Sequence, residues 1–263
     1  MFRLPFARLA CPSLALIVAL GCHTGATTTS EPAVPNSATA PADTPTSAIP
    51  SSEALLYPQL KTYLDDLGPA LDNLAPERRE ILGQIAAYVR EQHAAGQPAR
   101  LLFICTHNSR RSHMGQLWAA AAAEYYGVDA IETYSGGTEA TAFNPRAVAA
   151  MKRAGFVIEA SDPAADNPRY AVALADEAAA MMAFSKTWQD EANPDEGFAA
   201  VMTCSQADEA CPFVRGAALR VALPYEDPKV ADDTPEEGAR YDERARQIAT
   251  EMLYLFRLLA AGE

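Results

Sequence analysis

The sequence predicts an α/β fold, a four-stranded parallel sheet flanked by helices, preceded by a helical hairpin. Two observations carry the prediction. From residue 99 onward, short continuous apolar runs alternate with segments of helical periodicity, the pattern of a parallel sheet covered on both faces. With 263 residues and an apolar fraction of 49%, the chain can build one core of ordinary size and carry additions.

The first element is a leader. Residues 1–22 place Arg3 and Arg8 before an apolar run from Leu9 to Leu20, then Gly21 and Cys22. That is a secretion signal, and it resembles the bacterial lipoprotein type. The resemblance implies lipidation of Cys22 and an exported protein anchored to a membrane and facing the periplasm. Residues 23–50 are Thr, Ser, Pro and Ala with few large apolar groups. Such a stretch cannot offset its ordering entropy and reads as a disordered tether.

Residues 51–98 form the expected hairpin. Leu56, Leu60, Tyr63, Leu64 and Leu67 fall at helical spacing, Gly68-Pro69 interrupts, and Ile81, Leu82, Ile85, Tyr88 and Val89 repeat the pattern. Residues 99–263 are the expected catalytic domain. ARLLFI is its first strand, followed by a loop and a helix over 111–126. IETYSGG is the second strand, and NPRAVAAMKRAG a helix capped by Asn144 with Pro145 at its first position. ADEAAAMMAFSKTW reads as helical. FAAVMT and LRVAL are the third and fourth strands, and Thr234-Pro235-Glu236-Glu237 reads as a capping box opening the last helix. Cys105, Cys204 and Asp227 each follow a predicted strand, at the edge where such sheets hold ligands.

The chemistry concentrates in CTHNSRRS, residues 105–112. Five residues separate Cys105 from Arg111, enough for a loop to wrap a tetrahedral anion with successive backbone amides. The helix that follows aims its positive end at the same point. Thr106, His107, Asn108, Ser109, Arg110, Arg111 and Ser112 are therefore the expected oxyanion binders. Arg111 would hold two oxygens with its fork. Such surroundings favour the thiolate, the nucleophilic form of Cys105. Ser112 would donate to the sulfur, and Asn108 would hold the strained loop. Arg110 would add field at the anion or point to solvent. His107 and His113 read as surface histidines.

FICTHNSRRSHM, with TYSGGTEATAFNPRAVAAMKRAGF, resembles the low-molecular-weight protein tyrosine phosphatases and the related thioredoxin-coupled arsenate reductases, over residues 100–260. The resemblance implies a phosphate loop at Cys105–Ser112 and a general acid at Asp227, in the Asp-Pro of LPYEDPK. Lys229 stands where the phosphatases carry an aromatic residue beside a phosphotyrosine ring. Residues 159–198 hold an apparent insertion, and residues 52–99 have no counterpart in the minimal family.

MTCSQADEACPF resembles the redox segment of the arsenate reductases. In that family's scheme Cys105 attacks arsenate, Cys204 attacks Cys105 and Cys211 resolves the disulfide. An external dithiol, thioredoxin or a protein like it, then reduces the enzyme. Arsenate reduction is thus the favoured activity. A structural Cys204–Cys211 disulfide is the alternative, since export leads to an oxidising compartment. It would leave a phosphomonoester hydrolase working through Cys105, Arg111 and Asp227. No metal or organic cofactor is expected, because the Cys and His spacings match no metal site. A net charge of −13 argues against nucleic acid as a partner.

Overall fold

A computed structural model describes residues 56–176 and 178–262. The leader, the tether and Cys22 lie outside the described residues. In chain order the elements are α1 (Pro58–Asp65), a 3-10 turn (Gly68–Asn73), α2 (Pro76–Ala94), β1 (Ala99–Cys105), α3 (Arg111–Tyr126), β2 (Ile131–Gly137) and α4 (Pro145–Arg153). There follow β3 (Val157–Ala160), β4 (Tyr170–Ala173), β5 (Met181–Ala183), β6 (Phe198–Met202) and α5 (Ser205–Ala210). β7 (Ala217–Ala222), a 3-10 turn (Pro228–Ala231) and α6 (Glu237–Ala260) complete the chain.

The main sheet has the order β2-β1-β6-β7, and all its pairings are parallel. The expected strands are therefore all present. Strand β1 is buried throughout except at Arg100, and β6 is buried at every position, as befits central strands covered on both faces. Alternation along these strands divides the core. Leu101, Phe103, Ala199 and Val201 face the large layer of α2, α3 and α6. Leu102, Ile104, Ala200 and Met202 face a thinner layer with Ala207 of α5, Val214 and Trp188, and both Cys105 and Cys204 lie in it. β1 connects to β2 on one side and β6 to β7 on the other, so the β1/β6 boundary is the switch point at which α/β sheets bind ligands.

Two expectations fail in the middle of the chain. The segment read as a helix, 175–188, contains β5, which pairs with β4 in a three-stranded antiparallel sheet, β3-β4-β5. Alanine's helix preference is worth only a few tenths of a kcal/mol per residue, about 0.5. It loses to long-range pairing. Ser185 N donates to Asn167 Oδ1 (3.2 Å) and Lys186 N to Asn108 Oδ1 (2.8 Å), while Lys186 O accepts from Gly137 N (2.9 Å). A helix there would forfeit those bonds. The capping box also fails. Glu236 is the N-cap of α6 and makes no side-chain cap bond. Thr234 instead donates to Ala231 O at 2.8 Å, and the Glu237 carboxylate accepts from Asp233 N at 2.8 Å. The cap of α4 is as expected, with Asn144 accepting from Arg146 N at 2.9 Å.

The N-terminal helices pack on the main domain, as the sequence leads one to expect. α1 packs on α3 and α6, and α2 on α6, β7 and β1, with the intervening 3-10 turn also against α6. Leu60, Leu64, Leu67, Leu82, Ile85 and Val89 enter the same core as the helices over the sheet. Each such side chain, fully buried, is worth about 1.5–3 kcal/mol. Tyr63 stacks on Trp118 of α3 with centroids 5.2 Å apart.

Gly155, which ends α4, sits at φ +109° with the α1 backbone so close that a Cβ would lie 2.5 Å from Leu60 N. Gly155→Ala is therefore expected to lower unfolding free energy by at least about 2 kcal/mol. Gly83→Ala, with open space around it in α2, is expected to raise it by about 0.5–1 kcal/mol. Urea denaturation of the two variants checks both signs.

Candidate active site

The loop 106–110 leaves the end of β1 at the switch point and enters α3. Its carbonyls are tied outward. Cys105 O accepts from Thr138 N (3.1 Å), Thr106 O from Glu139 N (2.9 Å), His107 O from Ser185 Oγ (3.0 Å) and Ser109 O from Asn144 N (2.8 Å). With the carbonyls anchored that way, the amides of His107 through Arg110 bond to no other protein group among the described residues. They form a nest for an anion, at the N-terminus of α3.

Asn108 sets the turn. It is fully buried and sits at φ +43°, a left-handed conformation that Asn tolerates better than most residues. Its Oδ1 accepts from Lys186 N (2.8 Å) and its Nδ2 donates to Ser112 Oγ (2.8 Å). Ser112 Oγ lies 3.0 Å from Cys105 Sγ. A continuous run of hydrogen bonds thus joins the nucleophile candidate to the segment after β5. Gly137, at the end of β2, makes room for the loop. A Cβ there would meet Asn108 N at 2.6 Å and Thr106 O at 2.7 Å. The Gly136-Gly137 pair was the sequence signal for this close approach, and it points to the loop only once β2 is known to lie beside β1.

Arg111 is buried, at 7% exposure. Its Nη2 donates to Asp227 Oδ2 at 2.7 Å and its Nη1 to Tyr225 O at 3.0 Å. Asp227 caps the 3-10 turn through Lys229 N (3.1 Å), so its Asp-Pro is a turn and faces the site as well. An open cleft of about 850 Å³ lies above, lined by Thr106, His107, Arg111, Gln206, Asp227 and Val230 among others.

Other members of the predicted set lie elsewhere. The Arg110 side chain neither faces the loop's anion nor points to solvent. Its Nε donates to Tyr241 OH (2.7 Å) and lies 3.9 Å from Asp227 Oδ1, and its Nη2 donates to Asp232 Oδ2 (3.2 Å), so its charge bears on the carboxylates beside the site. His107 is on the rim, 3.3 Å from Glu139 in an exposed pair. His113, read as a surface residue, is fully buried. It stacks on Phe143 at 4.1 Å, with Nδ1 3.2 Å from Ser135 Oγ. Burial, helped by the Lys186 charge, pushes its pKa down to about 3.

The three described cysteines are free thiols. Cys204 is fully buried beside the loop, with Thr106 Oγ1 3.4 Å from its sulfur. Its sulfur also caps α5, accepting from Ala207 N at 3.4 Å. Cys211 stands at the other end of that helix and is half-buried. At about 1.5 Å of rise per residue the two sit too far apart to bridge, since a disulfide needs Cα atoms within about 7 Å. The expected alternative of a structural disulfide is therefore not what this fold holds. Arg220 clamps the helix, donating to Asp208 O (2.8 Å), Asp208 Oδ1 (2.6 Å) and Cys211 O (3.0 Å). Among the described residues no group of His, Cys, Asp and Glu is arranged to hold a metal ion.

Residues 100–187 match the family described as low molecular weight phosphotyrosine protein phosphatase. The arsenate reductase of Bacillus subtilis (strain 168) is 32% identical over 146 residues, covering 56% of this chain and 86% of that protein. The arsenate reductase of Halalkalibacterium halodurans is 31% identical over 137 residues, covering 52% and 79%. The chain belongs to the low-molecular-weight phosphatase family, close to its arsenate reductases. It is an enzyme of this type. Among solved structures, a low-molecular-weight protein tyrosine phosphatase from Bacillus subtilis aligns with 61% of this chain and 96% of its own, at 17% identity and a TM-score of 0.41. Helices α1 and α2 precede the matched segment.

The buried His113 gives the fold a pH dependence. Its folded pKa lies below the unfolded value of 6.5, so the unfolded chain binds the extra proton on acidification. This contribution to stability is complete above about pH 6.5. It is lost at about 1.4 kcal/mol per pH unit as the pH falls toward 3. His113→Gln is expected to remove that slope, read by urea midpoints from pH 7 to pH 4.

Proposed function

We propose that this enzyme reduces arsenate through a relay of Cys105, Cys204 and Cys211. The observation that carries the reading is the placement of the second thiol. Cys204 is buried just beyond the end of β6, the strand beside β1, which itself ends at Cys105, and the Thr106 hydroxyl of the loop lies against it. A thiol whose only task was packing would not need a third cysteine at the far end of a short, separately clamped helix.

In this reading the loop amides and Arg111 bind the oxyanion. The thiolate of Cys105 attacks arsenic, a sulfur–arsenic bond forms, and an oxygen leaves as water with a proton from Asp227. Cys204 then attacks the Cys105 sulfur. A disulfide forms, the sulfur–arsenic pair of electrons stays on arsenic, and arsenite departs two electrons reduced. Cys211 attacks Cys204 and frees Cys105. This last step needs α5 to unwind, because its two ends are too far apart while it is folded. An external dithiol, a thioredoxin-like protein by the family resemblance, reduces the Cys204–Cys211 pair. The lipid anchor at Cys22 and a periplasmic location belong to the same proposal and rest on the leader sequence alone.

Phosphomonoester hydrolysis needs only Cys105, Arg111 and Asp227, and the contact of Arg111 with Asp227 suits it equally. The two readings separate on the purified protein. For the reductase, Cys204→Ser and Cys211→Ser each abolish arsenite release with a dithiol reductant. Neither change slows hydrolysis of an aryl phosphate. Retention of arsenite release in either variant sinks the relay. A strong aryl phosphatase activity that falls by about 10²-fold in Asp227→Ala, with no arsenite release from the unaltered chain, favours the hydrolase.

A further inference from the structure

The helices before the matched segment reach the active site from behind. Arg78, in the first turn of α2, forks onto Glu251 of α6, with Nε to Oε1 at 3.0 Å and Nη2 to Oε2 at 2.6 Å. Its third nitrogen, Nη1, donates to Pro224 O at 3.1 Å, and its guanidinium lies 4.9 Å from the centroid of the Tyr225 ring. Glu251 is 1% exposed and also accepts from Tyr225 OH at 2.7 Å. The cluster therefore reaches Pro224 through Arg78 Nη1 and Tyr225 through Glu251.

Those two residues carry the cleft wall that faces the phosphate loop. Leu223 N and Tyr225 N bond to Met202 O (2.9 Å) and Thr203 O (3.1 Å), which fixes one edge of the segment to the end of β6. Tyr225 O then accepts from Arg111 Nη1 at 3.0 Å, and two residues later Asp227 takes Nη2 at 2.7 Å. The planar fork of Arg111 can satisfy both acceptors only while the spacing between Tyr225 O and the Asp227 carboxylate is held. The β6 bonds set the height of the segment. The Arg78–Glu251–Tyr225 cluster holds the segment from its other side.

We propose that Arg78 is a positioning residue for the oxyanion site, and that the N-terminal helices complete this enzyme's active site rather than merely lengthening its core. The path runs from Arg78 and Glu251 through the Tyr225 ring and carbonyl to the guanidinium of Arg111. The proposal rests on the reading of Arg111 as the oxyanion clamp. It assigns to α2 the bracing of the Pro224–Asp227 segment, with a charged fork at its root.

Removing Arg78 alone strands the Glu251 carboxylate and threatens the fold. Two other variants avoid this. Arg78→Lys keeps a charge beside Glu251 but lacks the second arm for Pro224 O. Arg78→Met/Glu251→Met removes both charges and leaves an apolar brace. The probe is inorganic phosphate, titrated by calorimetry well below each protein's melting temperature. A control, Leu60→Ala, lowers stability from α1 without touching the segment. Both Arg78 variants are expected to bind phosphate at least about tenfold more weakly than the unaltered chain. The control binds it as tightly as the unaltered chain. Equal phosphate affinity in the folded Arg78 variants overturns the proposal and leaves the oxyanion site standing. No phosphate binding by the unaltered chain overturns both.

Discussion

A loop that gathers its amides around a common centre must dispose of its carbonyls, and that requirement governs much of this structure. Thr138, Glu139, Ser185 and Asn144 each supply a donor to a carbonyl between Cys105 and Ser109. They come from two separate connections, the one between β2 and α4 and the one after β5. The small antiparallel sheet, which contributes no side chain to the chemistry, delivers the last of these by placing Ser185 and Lys186 against the loop. A buried peptide group without a partner costs about 1–3 kcal/mol. Four anchored carbonyls thus convert the surrounding fold into the stiffness of the nest.

The sheet supplies the rest through direction. Cys204 emerges toward the thin layer, where its sulfur meets Thr106 and the start of α5, while the Cys105 sulfur at the strand end lies against Ser112 of α3. The thick layer holds the large helices and most of the apolar area. Rigidity and mobility are thus separated onto opposite faces of one sheet. Stability comes from α2, α3 and α6, while the face where a thiol would have to travel carries little packing to disturb.

Much of this was legible in the sequence because the determinants were local. The four parallel strands, the loop Cys105–Ser112, the Asn144 cap and the sites of Asp227, Cys204 and Cys211 follow from runs of a dozen residues or fewer. What was not legible depends on residues distant in sequence. β5 is a strand because of what β4 and the loop offer it, and its alanines and methionines argue locally for a helix. Arg110 adjoins Arg111 in sequence, yet its partners Tyr241 and Asp232 lie over a hundred residues away. His113 looked like the polar start of a helix, and it is buried because Phe143 and Ser135 close over it. No local pattern marks Arg78, whose partners are on α6 and beyond β7.

The clamp of Arg220 on α5 has a consequence for time. Three hydrogen bonds hold a helix of only six residues, and the proposed relay cannot finish until they open. Recovery of the resting protein then begins with a small unfolding event and ends with a refolding one. Wherever that opening is slower than the sulfur exchange, its pace would respond to denaturant and viscosity as conformational reactions do. Such an enzyme would run on two clocks, one chemical at the nest and one mechanical at the neighbouring helix, and the slower of them would set its turnover.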